Sequence, residues 1–552
     1  MERQSMALVG DKEEIIRKSA EYHPSVWGDY FIRNSSSALE KEPTHRILMK
    51  RVEELKERVR NLFKETSDDV LQIMNLVDSI QLLGLDYHFE KEIVTALRLV
   101  YGADAENYGL YEFSLRFRLL RQHGYYLSAD VFNKFKDEKG RFLSTLNGDA
   151  KGLLSLYNAA YLGTHEETIL DEAISFTKCQ LESLLGELEQ PLATEVSFFL
   201  ETPLCRRTKR LMVRKYIPIY QENVMRNDTI LELAKLDFNL LQSLHQEEVK
   251  KISMWWNDLA LTKSLKFARD RVVECYYWIV AVYFEPQYSR ARVITSKAIS
   301  LMSIMDDIYD NYSTLEESQL LTEAIERWEP QAVDCVPEYL KDFYLKLLKT
   351  YKDFEDELEP NEKYRIPYLQ EEIKVLSRSY FQEAKWGVER YVPSLEEHLL
   401  VSLISAGYYA VACAAYVGLG EDATKETFEW VASSPKILKS CSILCRLMDD
   451  ITSHEREQER DHVASTVESY MKEHGTSAKV ACEKLQVMVE QKWKDLNEEC
   501  LRPTQVARPL IEIILNLSRA MEDIYKYKDT YTNSNTRMKD NVSLILVESF
   551  PI

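Results

Sequence analysis

Two stretches, Asp306-Asp307-Ile308-Tyr309-Asp310 and Asp449-Asp450-Ile451-Thr452-Ser453-His454-Glu455-Arg456-Glu457, hold residues whose types and spacing could do chemistry. On a helix, Asp306 and Asp310 stand at i and i+4 and project from one face. Asp449, Ser453 and Glu457 repeat that interval, giving one oxygen ligand per turn. Hard oxygen donors so placed suit Mg²⁺, which takes few carboxylates and completes its shell with substrate phosphates. Each set follows an apolar turn, Leu301 to Met305 and Cys445 to Met448, which puts the acids at the rim of a greasy pocket. Either set alone also reads as a solvated, charged helix surface. Two sets, each behind an apolar turn, favour metal. Arg269 and Arg271, either side of Asp270, and Arg446, about one turn before Asp449, offer guanidinium forks for phosphate oxygens. Arg-Asp-Arg by itself is ordinary surface ion-pair text.

Other patterns fail. Gly418-Leu419-Gly420-Glu421-Asp422-Ala423 has the spacing of a dinucleotide-binding turn, but no strand precedes it and acids occupy the phosphate position. Gln458 stands where a zinc-binding HExxH helix needs its second His. Neither a G-x-S-x-G elbow nor a G-x-x-x-x-G-K-[ST] loop occurs.

The elements that must position the acids are helices. The 552 residues include only 16 Gly and 15 Pro, few turn formers for so long a chain. Residues 1–40 read as an irregular arm with one dense patch, Arg17 to Phe31. Amphipathic helices follow from Thr44 to Met225, with joins at Gln81 to Phe89 and Arg121 to Gly124. Pro218 interrupts the pattern, and a boundary falls near residue 226, where Thr229 and Glu232 fit a capping box. Ile230, Leu233, Ala234, Leu241 and Leu244 resume helical spacing, and residues 529–540 read as a polar loop. No fixed-period repeat is present.

The net charge of −20, from 70 basic and 90 acidic residues, argues against nucleic acid or an anionic membrane surface as partner. It leaves room for a phosphorylated substrate, because bound cations reverse the local sign. Nine cysteines, an odd number without a CxxC pair, predict a reduced intracellular protein. No apolar run is expected to reach the length of a membrane span. An N-terminus with Glu2, Asp11, Glu13 and Glu14 resembles neither a secretory signal nor a transit peptide, which predicts a cytoplasmic protein.

Taken together, the Arg269–Arg271, Asp306–Asp310 and Asp449–Glu457 motifs resemble those of plant class I terpene synthases, in the same order and spacing. SLRFRLLRQHGY (114–125), DVFNKFKDEKGRF (130–142), YFEPQYSRAR (283–292) and HVASTVESYM (462–471) are similar to that family's text, and the likeness spans nearly the whole chain. Sandalwood-type sesquiterpene synthases making sesquisabinene- or bisabolene-like products resemble it most. The resemblance implies an all-α fold with a non-catalytic α-barrel domain over 1–225 and a catalytic α-bundle over 226–552. Residues 1–225 lack DxDD, so protonation-initiated cyclisation is not expected. Arg17-Lys18 followed by Trp27 is similar to the family's N-terminal RRx8W arm, with Lys in the second place, and the family folds this arm over the site.

The same resemblance implies a site. About three Mg²⁺, replaceable by Mn²⁺, would sit among Asp306, Asp307, Asp310, Asp449, Ser453 and Glu457. The substrate diphosphate would meet Arg269, Arg271, Asp306, Asp310, Arg446 and Asp449. Trp278, Tyr525, Asp529 and Tyr531 match the pocket floor and the C-terminal aromatic and acid cluster, with Tyr527 an alternative to Tyr525. Ser405-Ala406-Gly407 resembles a helix break whose carbonyls face a carbocation. The implied reaction is ionisation of farnesyl diphosphate and closure through a bisabolyl cation by a monomer that inserts in no membrane. The alternatives are a monoterpene synthase acting on geranyl diphosphate, a chain-elongating prenyltransferase, which would show a second DDxxD, and a non-enzymatic helical scaffold.

Overall fold

The computed structural model describes residues 22–34, 42–104, 106–458 and 463–552. Among them the apolar three- and four-residue spacing becomes helices joined by short turns, and extended chain pairs only at the isolated Lys136–Phe142 bridge. The fold is all-α.

The buried apolar side chains fall into two cores. The first gathers helices from residue 52 onward, including Leu110–Gln122 and Ala150–Ala160, and also takes in Phe550. The second gathers the chain from Leu241 onward, together with Phe31 and Leu211. Their division does not coincide with the turn near 226. It falls inside one long helix, Asp228–Leu259, whose Ile230, Leu233, Leu236 and Phe238 enter the first core while Val249, Ile252 and Trp256 enter the second. The start of that helix corrects the expected capping box. Asn227, in extended conformation, accepts hydrogen bonds from the Thr229 and Ile230 amides (3.0 and 3.2 Å), so Thr229 is already helical. Glu232 instead receives Arg51 at 2.7 and 2.8 Å. Pro218 also departs from expectation. It lies inside the helix Lys209–Glu222, where burial of Tyr216, Ile217, Ile219 and Tyr220 outweighs the missing amide.

Among the described residues, seven helices of the second core carry the site. Val272–Val282 packs on Ser289–Asn311 and Arg508–Ile524; Ser289–Asn311 packs on Arg365–Glu389 and Tyr408–Val417; Lys436–Glu457 packs on Arg508–Ile524 and on Leu395–Ser405. Residues Leu395–Val417 are apolar and long enough to cross a membrane, contrary to the sequence expectation. Its most apolar part is mostly buried within the protein, and the stretch is two helices, broken at Ser405 to Gly407, so its apolarity serves the core. Arg508–Ile524 ends where the Thr530 amide and hydroxyl donate to the Ile524 carbonyl (3.0 and 2.8 Å). Helix resumes at Arg537, so the expected loop over 529–540 is four residues too long at its C-terminal end.

Candidate active site

Asp306 and Asp310 of the first motif and Asp449 and Asp450 of the second line one cavity of about 270 Å³. Ser289–Asn311 presents Ile299, Met302, Ser303, Asp306 and Asp310 along a single stripe, apolar below and acidic at the rim. Lys436–Glu457 faces it with Cys445, Arg446, Asp449 and Arg456. Trp278 comes from Val272–Val282, and Tyr380 and Glu383 from Arg365–Glu389. Tyr525, Asp529, Tyr531 and Thr532 follow the helix Arg508–Ile524, and Tyr22 reaches in from the N-terminal arm.

The two aspartate pairs share one division of labour. In each, the first Asp lines the cavity and the second is buried and holds an arginine, although Asp450, unlike Asp307, also reaches the cavity wall. Asp307, with no exposed surface, accepts from the Arg269 amide (2.7 Å) and from its Nε (3.0 Å), and Arg269 also donates to Asp306. Asp450, 3% exposed, takes Arg446 at 3.3 Å and the Thr466 amide at 2.7 Å. Burial opposes both guanidinium charges, but the carboxylates outweigh it and hold Arg269 and Arg446 well above the usual arginine range. Asp307, expected among the metal ligands, lies against Arg269 instead of in the cavity wall, because the pitch of the helix turns it away from the cavity its neighbour faces. Arg271, expected at the diphosphate, is likewise off the cavity wall. It is 1% exposed and donates to the carbonyls of Tyr531, Thr532 and His23 (3.1 to 3.2 Å), pinning the arm and the C-terminal segment rather than facing the cavity.

The donor set fits Mg²⁺. Asp306 and Asp310 occupy the last two turns of their helix, where the dipole disfavours anions and the helix itself carries no basic residue in its last turn. Burial first, and then repulsion from Asp306 and Glu383, holds Asp310 well above the ordinary carboxylate range. Burial, with Asp306 and Asp450 adding to it against Arg446, pushes Glu383 up to about 7. The Ser453 hydroxyl is buried without a hydrogen-bond partner. Crowded carboxylates and an orphaned hydroxyl are what a divalent cation would neutralise and satisfy. The Glu457 side chain, and Arg17 and Lys18, lie outside the described residues.

The wall below is aromatic. Trp278 meets Tyr531 edge-on at 5.7 Å and Tyr408 at 6.3 Å. The Tyr531 hydroxyl donates to Ser303 at 2.7 Å, which fixes its ring under Arg269, 5.4 Å away. Tyr525 is buried and lines the cavity, whereas Tyr527 is 59% exposed, so Tyr525 is the ring that faces inward. The helix Leu395–Ser405 ends at the cavity with Ser405, Ala406 and Gly407 in its wall, which turns the negative end of its dipole toward the lumen. Gly407 has φ +79° and an added Cβ would stand 3.1 Å from Met302 Cε.

Glu383, Tyr22 and Arg456 were not singled out by sequence. Glu383 accepts from the Ser405 hydroxyl at 2.6 Å. Its one signal is an isolated acid, a turn after Tyr380, in the otherwise unremarked YFQEAKW. Tyr22 accepts from Asn311 Nδ2 at 2.9 Å and packs its ring 5.3 Å from Arg269.

Residues 257–495 match the model of the terpene synthase family's metal binding domain, and residues 26–200 that of the terpene synthase N-terminal domain. The chain is 91% identical to alpha-humulene synthase of Zingiber zerumbet over the full length of both. It is 68% identical to beta-eudesmol synthase of the same plant, over 100% of this chain and 99% of the relative. Among solved structures, isoprene synthase from grey poplar leaves in complex with three Mg²⁺ ions and dimethylallyl-S-thiolodiphosphate is 33% identical, with a TM-score of 0.86 over 96% of this chain and 99% of that one.

Proposed function

This chain belongs to the terpene synthase family and is a sesquiterpene synthase, and from that premise we propose that it converts farnesyl diphosphate to an eleven-membered, alpha-humulene-type hydrocarbon with release of diphosphate. The observation that carries the chemistry is the convergence of two acidic helix faces and two held arginines on one aromatic-walled cavity. The 91% identity to an alpha-humulene synthase carries the product.

Asp306, Asp310, Asp449, Ser453 and Glu457 are the residues that would hold Mg²⁺, three ions by family analogy, with Mn²⁺ a substitute. When bound, such ions supply positive charge that stabilises the departing diphosphate. Arg269 and Arg446 add preorganised donors to the same oxygens. Trp278, Tyr525 and Tyr531 exclude water and offer π faces to the allylic cation. Bonding C1 to C11 needs no rotation about the E-configured C2–C3 bond. It leaves the positive charge on C10, and proton loss from C9 completes the third ring alkene. Asp529 and the departed diphosphate are the bases at hand. The bisabolyl route differs at the outset. Joining C1 to C6 first requires isomerisation to a tertiary allylic diphosphate.

Incubation with farnesyl and geranyl diphosphates in competition, with Mg²⁺ and product analysis by gas chromatography and mass spectrometry, tests the reading. Alpha-humulene from the C15 substrate is expected. Bisabolene or sesquisabinene would move the assignment to C1–C6 closure. Preference for the C10 substrate would overturn the farnesyl assignment.

A further inference from the structure

Arg456 belongs neither to the acidic ligand set nor to the two arginines held by the aspartate pairs. Arg446, Asp449, Ser453 and Arg456 stand at i, i+3, i+7 and i+10 of one helix and form one stripe, with a guanidinium at each end of the acidic face. Arg456 lines the same cavity. Its side chain is 32% exposed, its Nε is buried without a partner, and one Nη is ion-paired with Asp529 at 3.0 Å. Asp529 is 6% exposed and commits its other oxygen to the Thr532 amide at 2.9 Å. The three cavity arginines therefore differ. Among the described residues, Arg269 and Arg446 are each fixed by two carboxylates, while Arg456 has one carboxylate partner and a donor to spare.

A diphosphate carries more charge than one carboxylate and more oxygens for a guanidinium fork, so on reaching the cavity it competes with Asp529 for Arg456. We propose that Arg456 is a third diphosphate-binding residue, which gives up Asp529 for the diphosphate when substrate enters and so leaves the Asp529 carboxylate unpaired toward the lumen. This rests on the prenyl diphosphate reading of the site. It makes substrate entry and the uncovering of Asp529 one event, because the two anions share one guanidinium.

The test is calorimetric titration of inorganic diphosphate, with Mg²⁺ present, into the full-length protein and the variants R456M, D529N and R456M/D529N, each checked for helical circular dichroism. Asn at 529 can still accept the Thr532 amide. R456M should weaken diphosphate binding about ten- to a hundredfold, the range for a hydrogen bond to a charged group. D529N should tighten it, since it removes the competitor, and should have no effect in the R456M background. Wild-type affinity in R456M would overturn the inference, as would a D529N effect that is absent, or equal in both backgrounds. If R456M does not fold, D529N alone still decides. Wild-type protein that yields no hydrocarbon from farnesyl diphosphate would defeat the proposed function instead, whatever the titrations give.

Discussion

At the scale of single residues, the site separates ligands from the groups that aim them. Asp306→Ala and Asp310→Ala remove cavity-facing oxygens and should nearly abolish turnover while the thermal transition stays in place. Steady-state kinetics beside thermal denaturation checks both. Arg446→Ala removes a donor held by Asp449 and Asp450, and a loss of about 10²- to 10³-fold in kcat is expected, with helical circular dichroism retained. Asp307→Asn is the sharper variant. Asp307 is fully buried against Arg269, so breaking the pair should lower stability by about 3–5 kcal/mol and slow turnover through Arg269. The Mg²⁺ concentration for half-maximal rate should stay unchanged, and a raised requirement would return Asp307 to the ligand set. Sequence spacing cannot make this distinction. The i, i+4 rule finds Asp306 with Asp310, but which neighbour faces an arginine depends on Arg269, a residue brought alongside by the fold.

Elements fix where the polarity points. The break between Leu395–Ser405 and Tyr408–Val417 needs Gly407, since φ +79° and the 3.1 Å approach to Met302 leave little room for a side chain. Gly407→Ala should cost about 1–2 kcal/mol from the left-handed backbone alone. It should also alter the product ratio, because Met302 lines the cavity. Thermal denaturation and product analysis on one preparation test both effects; an unchanged melting point and product profile would remove the break from the account. The helices bearing the acid motifs were legible because their apolar stripe and their ligands share one period. Two things were less so. Tyr525 against Tyr527 could not be decided, because the chain leaves the helix at Ile524 and periodicity stops there. Glu383 carried no signal, because a lone acid gains meaning only from Ser405, Arg446 and Asp310 around it.

For the whole molecule, the consequence lies in the helix Asp228–Leu259. A cut at residue 226 looks natural in the sequence, yet it would strip cover from Ile230, Leu231, Leu233, Leu236 and Phe238, each worth about 1.5–3 kcal/mol when buried. It would also strip cover from Phe550, whose amide and carbonyl are bonded to Asn239 at 2.8 Å. The fragment 226–552 alone should therefore aggregate or bind a hydrophobic dye, as light scattering and dye fluorescence would show. A monodisperse, cooperatively melting fragment would contradict this. The central claim is that the acids of Ser289–Asn311 and Lys436–Glu457 form one metal and diphosphate site. Diphosphate release from farnesyl diphosphate across a Mg²⁺ titration, compared among wild type, Asp306→Asn, Asp449→Asn and the double variant, tests it most directly. Each single variant should lose about 10²-fold or more in rate and raise the Mg²⁺ requirement, and the double should be little worse than either, as expected for residues acting as a unit. Wild-type Mg²⁺ dependence in Asp449→Asn, or losses that simply multiply in the double variant, would contradict a single shared site.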